Sequence, residues 1–333
     1  MRLTRIGQPE EIRIARVNKG HVAMISSVTV CEFPVRRPDE GSRDRDELST
    51  FRERIGMNIE EAFWSQIDPL YHLKQASCIR YARGIEQHYR LDEQSGKDTS
   101  FGGELIDGMD EMRASALMFI RFHAIETLLT VLLGSHPHGP VPRFAKKYFG
   151  TKFNEAVQAV ARMEIPTALS IPGIADFDKW LAAKFWGRLA AEDTLDPEVV
   201  QFVSVQAELF GQKTVYNAFK HGCRIGRSWP KVSVKDEATG KWIPLLDITS
   251  GVGWLHWEED KKSKSESVTF GAMACDLADE HGAVAIMALL VRGMKTIRLA
   301  KPNEKINVQI PNSIKAGMRV PANMNFKIHL FSS

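Results

Sequence analysis

Cysteine is scarce in this chain, with four in 333 residues, and the four are scattered. They form no Cys-x-x-Cys pair and no histidine stands at zinc-finger spacing from them, which argues against a disulfide framework or a structural zinc site. We interpret all four as reduced thiols that serve as small apolar residues. They are Cys31, Cys78, Cys223 and Cys275.

Glycine-rich phosphate loops are also missing. The sequence contains neither Gly-x-Gly-x-x-Gly nor the Walker pattern, and neither Gly-x-Ser-x-Gly nor His-Glu-x-x-His. His136 and His138 share a loop rich in proline and glycine, but no third ligand stands nearby in the sequence. We therefore predict no metal and no cofactor.

Long apolar runs are absent as well. The most apolar stretch, Gly282 to Val291, is shorter than the roughly 20 residues that a membrane span needs. The first residues, Met-Arg-Leu-Thr-Arg-Ile-Gly, lack the apolar core of a signal peptide. The formal net charge is only +3, so any electrostatic role depends on local clustering. We expect a cytoplasmic protein that does not bind membranes.

The amino-terminal region alternates between polar and apolar residues, most clearly from His21 to Phe33. This alternation predicts a strand that ends at Pro34. The stretch from Arg36 to Arg54 is dense in charge, which is typical of an exposed linker or a frayed helix. Residues 1–60 are therefore predicted to form a β-rich segment followed by a charged linker.

Helices are predicted where capping residues precede apolar periodicity. Asp68-Pro69 and Asp196-Pro197 each place an acidic N-cap before a proline at the first helical position. A long helix that is apolar on almost every side ends at the breakers that begin at Gly134. The predicted helices cover about 68–90, 109–133, 151–163, 177–191 and a last one that starts at 197 and carries a basic stripe to about 227. We assign residues 61–228 to a helical bundle.

The pattern changes at Pro230. Lys231 to Val234 and Lys241 to Leu246 predict a hairpin, and a helix is predicted at about 275–299. Further strands are predicted at 253–257, 267–270, 306–310 and 326–330. Residues 229–333 are thus predicted to form an α+β lobe, so the fold class is α+β, mainly a helical bundle with a smaller β-rich carboxy-terminal lobe.

The segment from Leu209 to Lys235 contains no Asp or Glu although it is rich in cations. Wound as a helix at about 100° per residue, its first part separates a polar side from an apolar side. The polar side carries Lys213, Asn217, Lys220, His221, Arg224 and Arg227. An imidazole and an amide among fixed cations suit an anionic ligand, and the four predicted phosphate-binding residues are Lys213, Lys220, Arg224 and Arg227.

Helix capping is the competing interpretation. A helix that ends at Gly222 favours cations in its last turn and glycine just beyond it. Capping explains Lys220 and His221 without any ligand. It leaves Asn217 unexplained, and it does not account for the helical phase of Arg224 and Arg227. Both interpretations stay open from the sequence.

The central helix carries polar residues that need partners. His123 and Glu126 are three residues apart, which places them close together on a helix. Since a carboxylate on an apolar helix is costly without a partner, Glu126 is expected to meet His221 or Lys220. Such a contact would favour imidazolium at residue 221. The alternative is that His123 and Glu126 form a purely structural polar pair.

The stretch from Tyr216 to Gly222, read as Asn-x-x-Lys-His-Gly, resembles the HEPN superfamily of helical bundles. Many of its members are metal-independent ribonucleases of bacterial defence and toxin–antitoxin systems that pair as dimers, and others are inactive binding modules. The resemblance implies an acid–base role for His221 and a polar role for Asn217. The family's active motif also has an Arg four to six residues before the His, and this chain has none there.

Two functions follow from these patterns. In the first, a HEPN-like homodimer acts on or binds RNA or another phosphate-bearing ligand, with His221 and Asn217 as catalytic residues and His123 and Glu126 as supporting residues. In the second, the protein is a non-enzymatic interaction module for an acidic protein or a nucleotide. Positive charge is needed in both, so the sequence does not separate them.

Overall fold

A computed structural model describes most of the chain outside the first residues. The described residues are 28–34, 59–81, 109–188, 193–212, 216–217, 225–227, 231–235, 242–247, 251–260, 265–301, 304–311, 314–321 and 323–330. Within them the protein is mainly helical with small antiparallel sheets. This agrees with the predicted fold class at the level of a helical protein with some strands.

Eight α-helices lie in the described residues. They are α1 (Ile59–Gln66), α2 (Tyr71–Tyr81), α3 (Met109–Leu133), α4 (Val141–Tyr148), α5 (Thr151–Ala161), α6 (Phe177–Trp186), α7 (Pro197–Gly211) and α8 (Leu277–Leu299). A short 3-10 helix at Thr167–Leu169 precedes α6.

Eight strands form three antiparallel sheets in the described residues. They are β1 (Val28–Pro34), β2 (Ile225–Arg227), β3 (Lys231–Lys235), β4 (Trp242–Asp247), β5 (Gly251–Asp260), β6 (Ser265–Ala274), β7 (Lys305–Pro311) and β8 (Asn323–Leu330). The largest sheet has the order β2-β5-β6-β8, whereas β1 pairs with β7 and β3 pairs with β4. The predicted hairpin and the later strands are therefore confirmed.

The long predicted helix is confirmed as α3, which begins at Met109 and ends at Leu133. Its residues are buried on several sides, as expected for a helix without a polar face. Met112–Leu133 is the one helix in the described part of the chain that is long and apolar enough to cross a membrane, and most of that stretch is buried inside the protein.

Capping residues start the helices largely as predicted. The Asp196 side chain accepts a hydrogen bond from the backbone N–H of Glu198 at 2.8 Å at the start of α7. Asp68 accepts from the N–H of Leu70 at 3.0 Å, and α2 begins shortly after it at Tyr71. The rest of the predicted helix to residue 90 lies outside the described residues. The predicted helices at 151–163 and 177–191 correspond to α5 and α6.

Helix α4 has no counterpart in the sequence prediction, which interpreted Gly134 to Pro142 as breakers and placed the next helix at about 151. It begins after Pro140, with Pro142 in its first turn, where the missing N–H of proline costs nothing. Its buried residues are Val141 and Phe144, and it packs against α1. The breakers thus end one helix and begin the next.

The chain divides into two compact units. One contains the described residues up to His72, Ala124–Gly211 and Ala285–Met318. The other contains Leu73–His123, Gln212–Val284 and the described residues from Arg319 onwards. Each unit is built from segments that are distant in the sequence, and the three predicted consecutive domains stay a prediction.

Candidate functional site

Of the predicted binding segment 209–235, the structure describes residues 209–212, 216–217, 225–227 and 231–235, and the helical pair Tyr216 and Asn217 contains its one described catalytic candidate. Asn217 is exposed, as a ligand-contacting amide would need to be, whereas Tyr216 is only 4% exposed. The neighbouring predicted residues Lys213, Lys220, His221 and Arg224 lie outside the described residues. The geometry of the site is therefore built from Tyr216 and its contacts.

Tyr216 brings the segment to the central helix α3. Its hydroxyl lies 3.1 Å from Nδ1 of His123, a residue predicted to support the site. The ring of Phe119 meets the imidazole edge-on, with 4.3 Å between centroids. Phe122 stacks on the Tyr216 ring with 5.4 Å between centroids. His123 is half-buried, and the phenol and the aromatic rings around it hold its imidazole in place.

A tyrosine bonded to an imidazole can orient the ring and fix its tautomer. When the phenol donates to Nδ1, the proton of a neutral imidazole resides on Nε2. The arrangement can therefore position a polar ring beside the segment that carries Asn217. The structure adds Tyr216 to the predicted site, and the signal in the sequence was a tyrosine next to the polar residue of the Asn-x-x-Lys-His-Gly stretch.

The prediction that Arg227 extends one helical stripe is wrong. Helix α7 ends at Gly211, and Arg227 lies in strand β2, where it pairs with Val252 of β5. The stripe assumed a single helix, but backbone pairing with β5 satisfies the peptide groups of Ile225–Arg227 as an extended strand instead. Arg227 therefore does not share a helical face with Asn217.

Glu126 is half-buried on α3. Its predicted partners, His221 and Lys220, lie outside the described residues, so that contact stays a prediction. One residue further along, the hydroxyl of Thr127 lies 3.1 Å from Nε2 of His72. This side of α3 therefore carries further polar contacts.

Sequence reasoning missed a buried ion pair. Arg121 of α3 is fully buried, and its Nη1 lies 3.0 Å from Oε1 of Glu280. Asp279 lies 3.6 Å from the same nitrogen. Burial raises the pKa of Glu280, and Arg121 partly offsets that shift. An arginine in an apolar helix was the available signal, since such a cation needs a carboxylate.

Ser77 and His281 form a second contact that the sequence did not indicate. The Ser77 hydroxyl lies 3.0 Å from Nε2 of His281, across 204 residues of chain. Burial, and then the charge of Arg80, lower the pKa of His281 to about 4, so the imidazole is neutral at pH 7. Ser77 lies inside α2, where the backbone N–H groups are used by the helix and cannot form an oxyanion hole. We interpret the pair as structural.

The loop with His136 and His138 surrounds a buried lysine. The Lys184 ammonium donates to the carbonyl oxygens of Leu133 and Ser135, both at 2.8 Å, and to Nδ1 of His138 at 2.7 Å. Burial and Lys184 lower the pKa of His138 to about 4. Nζ of Lys184 therefore occupies Nδ1 of His138 and connects this histidine to the carboxyl end of α3.

A second buried cation closes the end of α6. The guanidinium of Arg298 donates to the carbonyl oxygens of Trp186 at 2.8 Å and Lys184 at 3.0 Å. Gly187 follows with φ of 66°, in the left-handed region, and a Cβ there would collide with the Arg298 side chain. Lys184 and Arg298 thus each neutralise the negative end of a helix, α3 and α6 respectively.

Comparison with models of protein families, with curated proteins and with solved structures finds no match to this chain. The functional interpretation therefore depends on the residues themselves.

Proposed function

We propose that this protein is a HEPN-like protein that binds or acts on RNA, or another phosphate-bearing ligand, through the segment from Leu209 to Lys235. The observation that carries the proposal is the absence of Asp and Glu from a segment with six lysines and arginines. The contact between Tyr216 and His123 supports it, because it holds one residue of the segment, next to Asn217, against a polar ring on α3. Fixed cations without intervening carboxylates favour a polyanion.

The proposed roles follow from the chemistry of each group. His221 donates or accepts a proton at an RNA oxygen, and Asn217 orients the ligand. Lys220 and Arg224 neutralise the phosphate, with Lys213 nearby in the sequence. The 2′-hydroxyl of the RNA serves as the nucleophile, so the proposal needs no metal. We place the protein in the cytoplasm, as a homodimer in a bacterial defence or toxin–antitoxin setting.

Catalysis is tested by incubating varied single-stranded RNAs with the full chain in EDTA. The wild type is expected to cleave at least one of them, and His221→Ala is expected to bind RNA without cleaving it. Tyr216→Phe removes the hydroxyl that contacts His123 and is expected to reduce cleavage without weakening salt-dependent binding. Cleavage by His221→Ala at the wild-type rate would reject the catalytic role.

Binding is tested by the salt dependence of RNA affinity. Each single-strand phosphate contact contributes about 0.7 to the slope of log affinity against log salt. Lys220→Ala and Arg224→Ala are each expected to reduce the slope by about that amount. Lys179→Ala, an exposed lysine on α6, is the matched control and is expected to leave the slope unchanged. If Lys220→Ala and Arg224→Ala both keep the wild-type slope, nucleic acid is rejected as the ligand of this segment.

A non-enzymatic binding module is the second candidate. Two observations favour it: no Arg stands four to six residues before His221, and Arg227 lies in β2. The Arg that binds the scissile phosphate in the family's active motif is therefore missing from this stretch. Binding of RNA by the wild type without cleavage of any substrate would select this candidate over the catalytic one.

A further inference from the structure

A second cationic surface lies far from the segment 209–235 in the sequence, where α4 ends and α5 begins. We call it the α4–α5 surface. It consists of Arg143, Lys146, Lys147, Tyr148, Phe149 and Lys152. No Asp or Glu occurs from Thr127 to Asn154, so the surface forms within a second acid-free stretch of the chain.

The two helices present this surface because each has one buried side. In α4, Val141 and Phe144 are buried, whereas Lys146 and Lys147 are exposed. In α5 the buried residues recur at helical spacing, and they are Phe153, Ala156, Val157, Ala159 and Val160. Lys152 lies in the first turn of α5 and is exposed. The three lysines of the two helices therefore all meet solvent.

Phe149 is the unusual residue of the surface, since it is a large apolar side chain that is 57% exposed. Its ring stacks on the buried ring of Phe153, with 5.3 Å between centroids and 8° between planes. The stacking holds the ring in one orientation while most of the side chain stays in contact with solvent. A ring fixed in this way can stack on a planar ligand at a small cost in side-chain entropy.

The lysines gather around one aromatic ring. Nζ of Lys147 lies 5.4 Å from the centroid of Tyr148, and Nζ of Lys152 lies 5.9 Å from it. Within the described ranges, Lys146, Lys147 and Lys152 form no ion pair with a carboxylate. These three lysines therefore place positive charge beside two aromatic rings.

Helix stability does not explain all of these cations. Lys146 and Lys147 lie in the last turn of α4, where the negative end of the helix dipole favours them. Lys152 lies in the first turn of α5, next to the positive end of that helix, and this turn contains no acidic residue. A cation there costs helix stability, so its position needs a reason outside the helix.

We propose that the α4–α5 surface binds single-stranded nucleic acid. Phe149 stacks on a base, and Lys146, Lys147 and Lys152 neutralise the phosphates on either side of it. The parallel stack of Phe149 on Phe153 favours a base over a lipid surface, because a ring laid against its neighbour offers a flat face and does not extend into a membrane. The inference rests on the proposed function only in taking nucleic acid as the ligand, since its residues are separate from 209–235.

The test measures binding of a short fluorescein-labelled oligoadenylate to the full chain over a range of salt. Because stacking on an aromatic ring is worth about 1–3 kcal/mol per base, Phe149→Ala is expected to weaken binding by about 5- to 150-fold with an unchanged salt slope. Lys146→Ala, Lys147→Ala and Lys152→Ala are each expected to reduce the slope by about 0.7. Phe149→Trp is expected to keep the affinity, and the fluorescence of the added Trp is expected to fall on binding.

Matched controls separate this surface from general effects. Met163→Ala removes an exposed apolar side chain just beyond α5, and Lys179→Ala removes an exposed lysine on α6, and neither is expected to change binding. Oligodeoxyadenylate is expected to bind with the same dependence on Phe149, since stacking needs no 2′-hydroxyl. Duplex RNA, whose bases are already stacked, is expected to show no such dependence.

Three results would overturn the inference. The first is wild-type affinity in Phe149→Ala, and the second is an equal effect of that variant on duplex RNA. The third is binding to phosphatidylcholine–phosphatidylserine vesicles that needs Phe149, without binding to either oligonucleotide. Lys220→Ala and Arg224→Ala report on the other segment. If only Lys220→Ala and Arg224→Ala weaken binding, the α4–α5 surface is rejected and the proposed function is retained. If only Phe149→Ala and the lysine variants of the α4–α5 surface weaken binding, the α4–α5 surface is retained and the segment 209–235 is rejected as the binding site.

Discussion

Replacing Lys184 with Met is expected to destabilise the folded protein strongly, because this buried side chain makes hydrogen bonds that Met cannot make. The ammonium is fully buried and donates to Leu133 O, Ser135 O and His138 Nδ1. Met has nearly the same length and no donor, so Lys184→Met keeps the volume and removes three hydrogen bonds. The two carbonyl groups belong to the end of α3, where the helix itself supplies no donor.

The magnitude follows from two opposing terms. Each buried acceptor that loses its donor costs about 1–3 kcal/mol. Burial lowers the pKa of Lys184 well below its ordinary value, which means that the folded protein carries a desolvation cost that Met removes. Lys184 pairs with no carboxylate among the described residues, so its loss leaves no opposite charge uncompensated. We expect the free energy of unfolding to fall by about 2–4 kcal/mol, since the lost bonds outweigh the desolvation.

The assay is urea unfolding of both proteins at pH 7, followed by tryptophan fluorescence. Trp180, whose ring centroid lies 6.0 Å from the ammonium, reports on this part of the core. The exposed Lys179→Met is the matched control and is expected to leave the midpoint unchanged. A midpoint for Lys184→Met at or above the wild-type value would refute the view that these hydrogen bonds hold the end of α3.

Three further predictions follow from the other buried groups. Arg121→Met leaves the Glu280 carboxylate without its cation and is expected to cost about 3–5 kcal/mol of unfolding free energy, with Glu280→Gln milder, both measured by urea unfolding. The pKa of His281 is about 4 in the folded protein and about 6.5 in the unfolded chain. The contribution of neutral His281 to the free energy of unfolding is therefore fully present above pH 6.5 and is lost as the pH falls towards 4. After discounting for partial exposure the loss is about 1–2 kcal/mol, and His281→Asn is expected to show a shallower decline over this window in thermal melts. Gly187→Ala forces a left-handed backbone on alanine and displaces Arg298, so its melting temperature is expected to fall, and an unchanged value would contradict the assigned cap.

Local chemistry made most helices and strands predictable. Asp196-Pro197 begins α7, the apolar stretch of α3 ends at Leu133, and the alternating residues after Pro230 form β3 and β4. Each of these features depends on residues that are close in the sequence. Arg227 was predicted on a helix because its position continues the helical periodicity of Lys213 and Asn217. Strand pairing with Val252, which is distant in the sequence, overrides that local pattern.

The predicted site also divides into residues that local sequence indicates and a contact that only the folded chain forms. His123 was selected from its place on α3, and Asn217 from its neighbours in the sequence. The contact that connects their two segments is made by Tyr216, because its hydroxyl reaches His123 across 93 residues of chain. The pairs Arg121–Glu280 and Ser77–His281 span still longer separations, so no spacing rule could indicate them.

By itself, the sequence determined where several helices begin, which stretches lack acidic residues, and which catalytic loop motifs are not written in its residues. These properties follow from composition and from interactions within a few residues. Only the tertiary structure decided that Lys184 and Arg298 close helix ends, that Arg227 lies in a strand, and that Phe149 stays exposed on a stacked ring. Those outcomes depend on which distant groups meet when the chain packs, because burial obliges each polar group to find a partner wherever in the chain one lies.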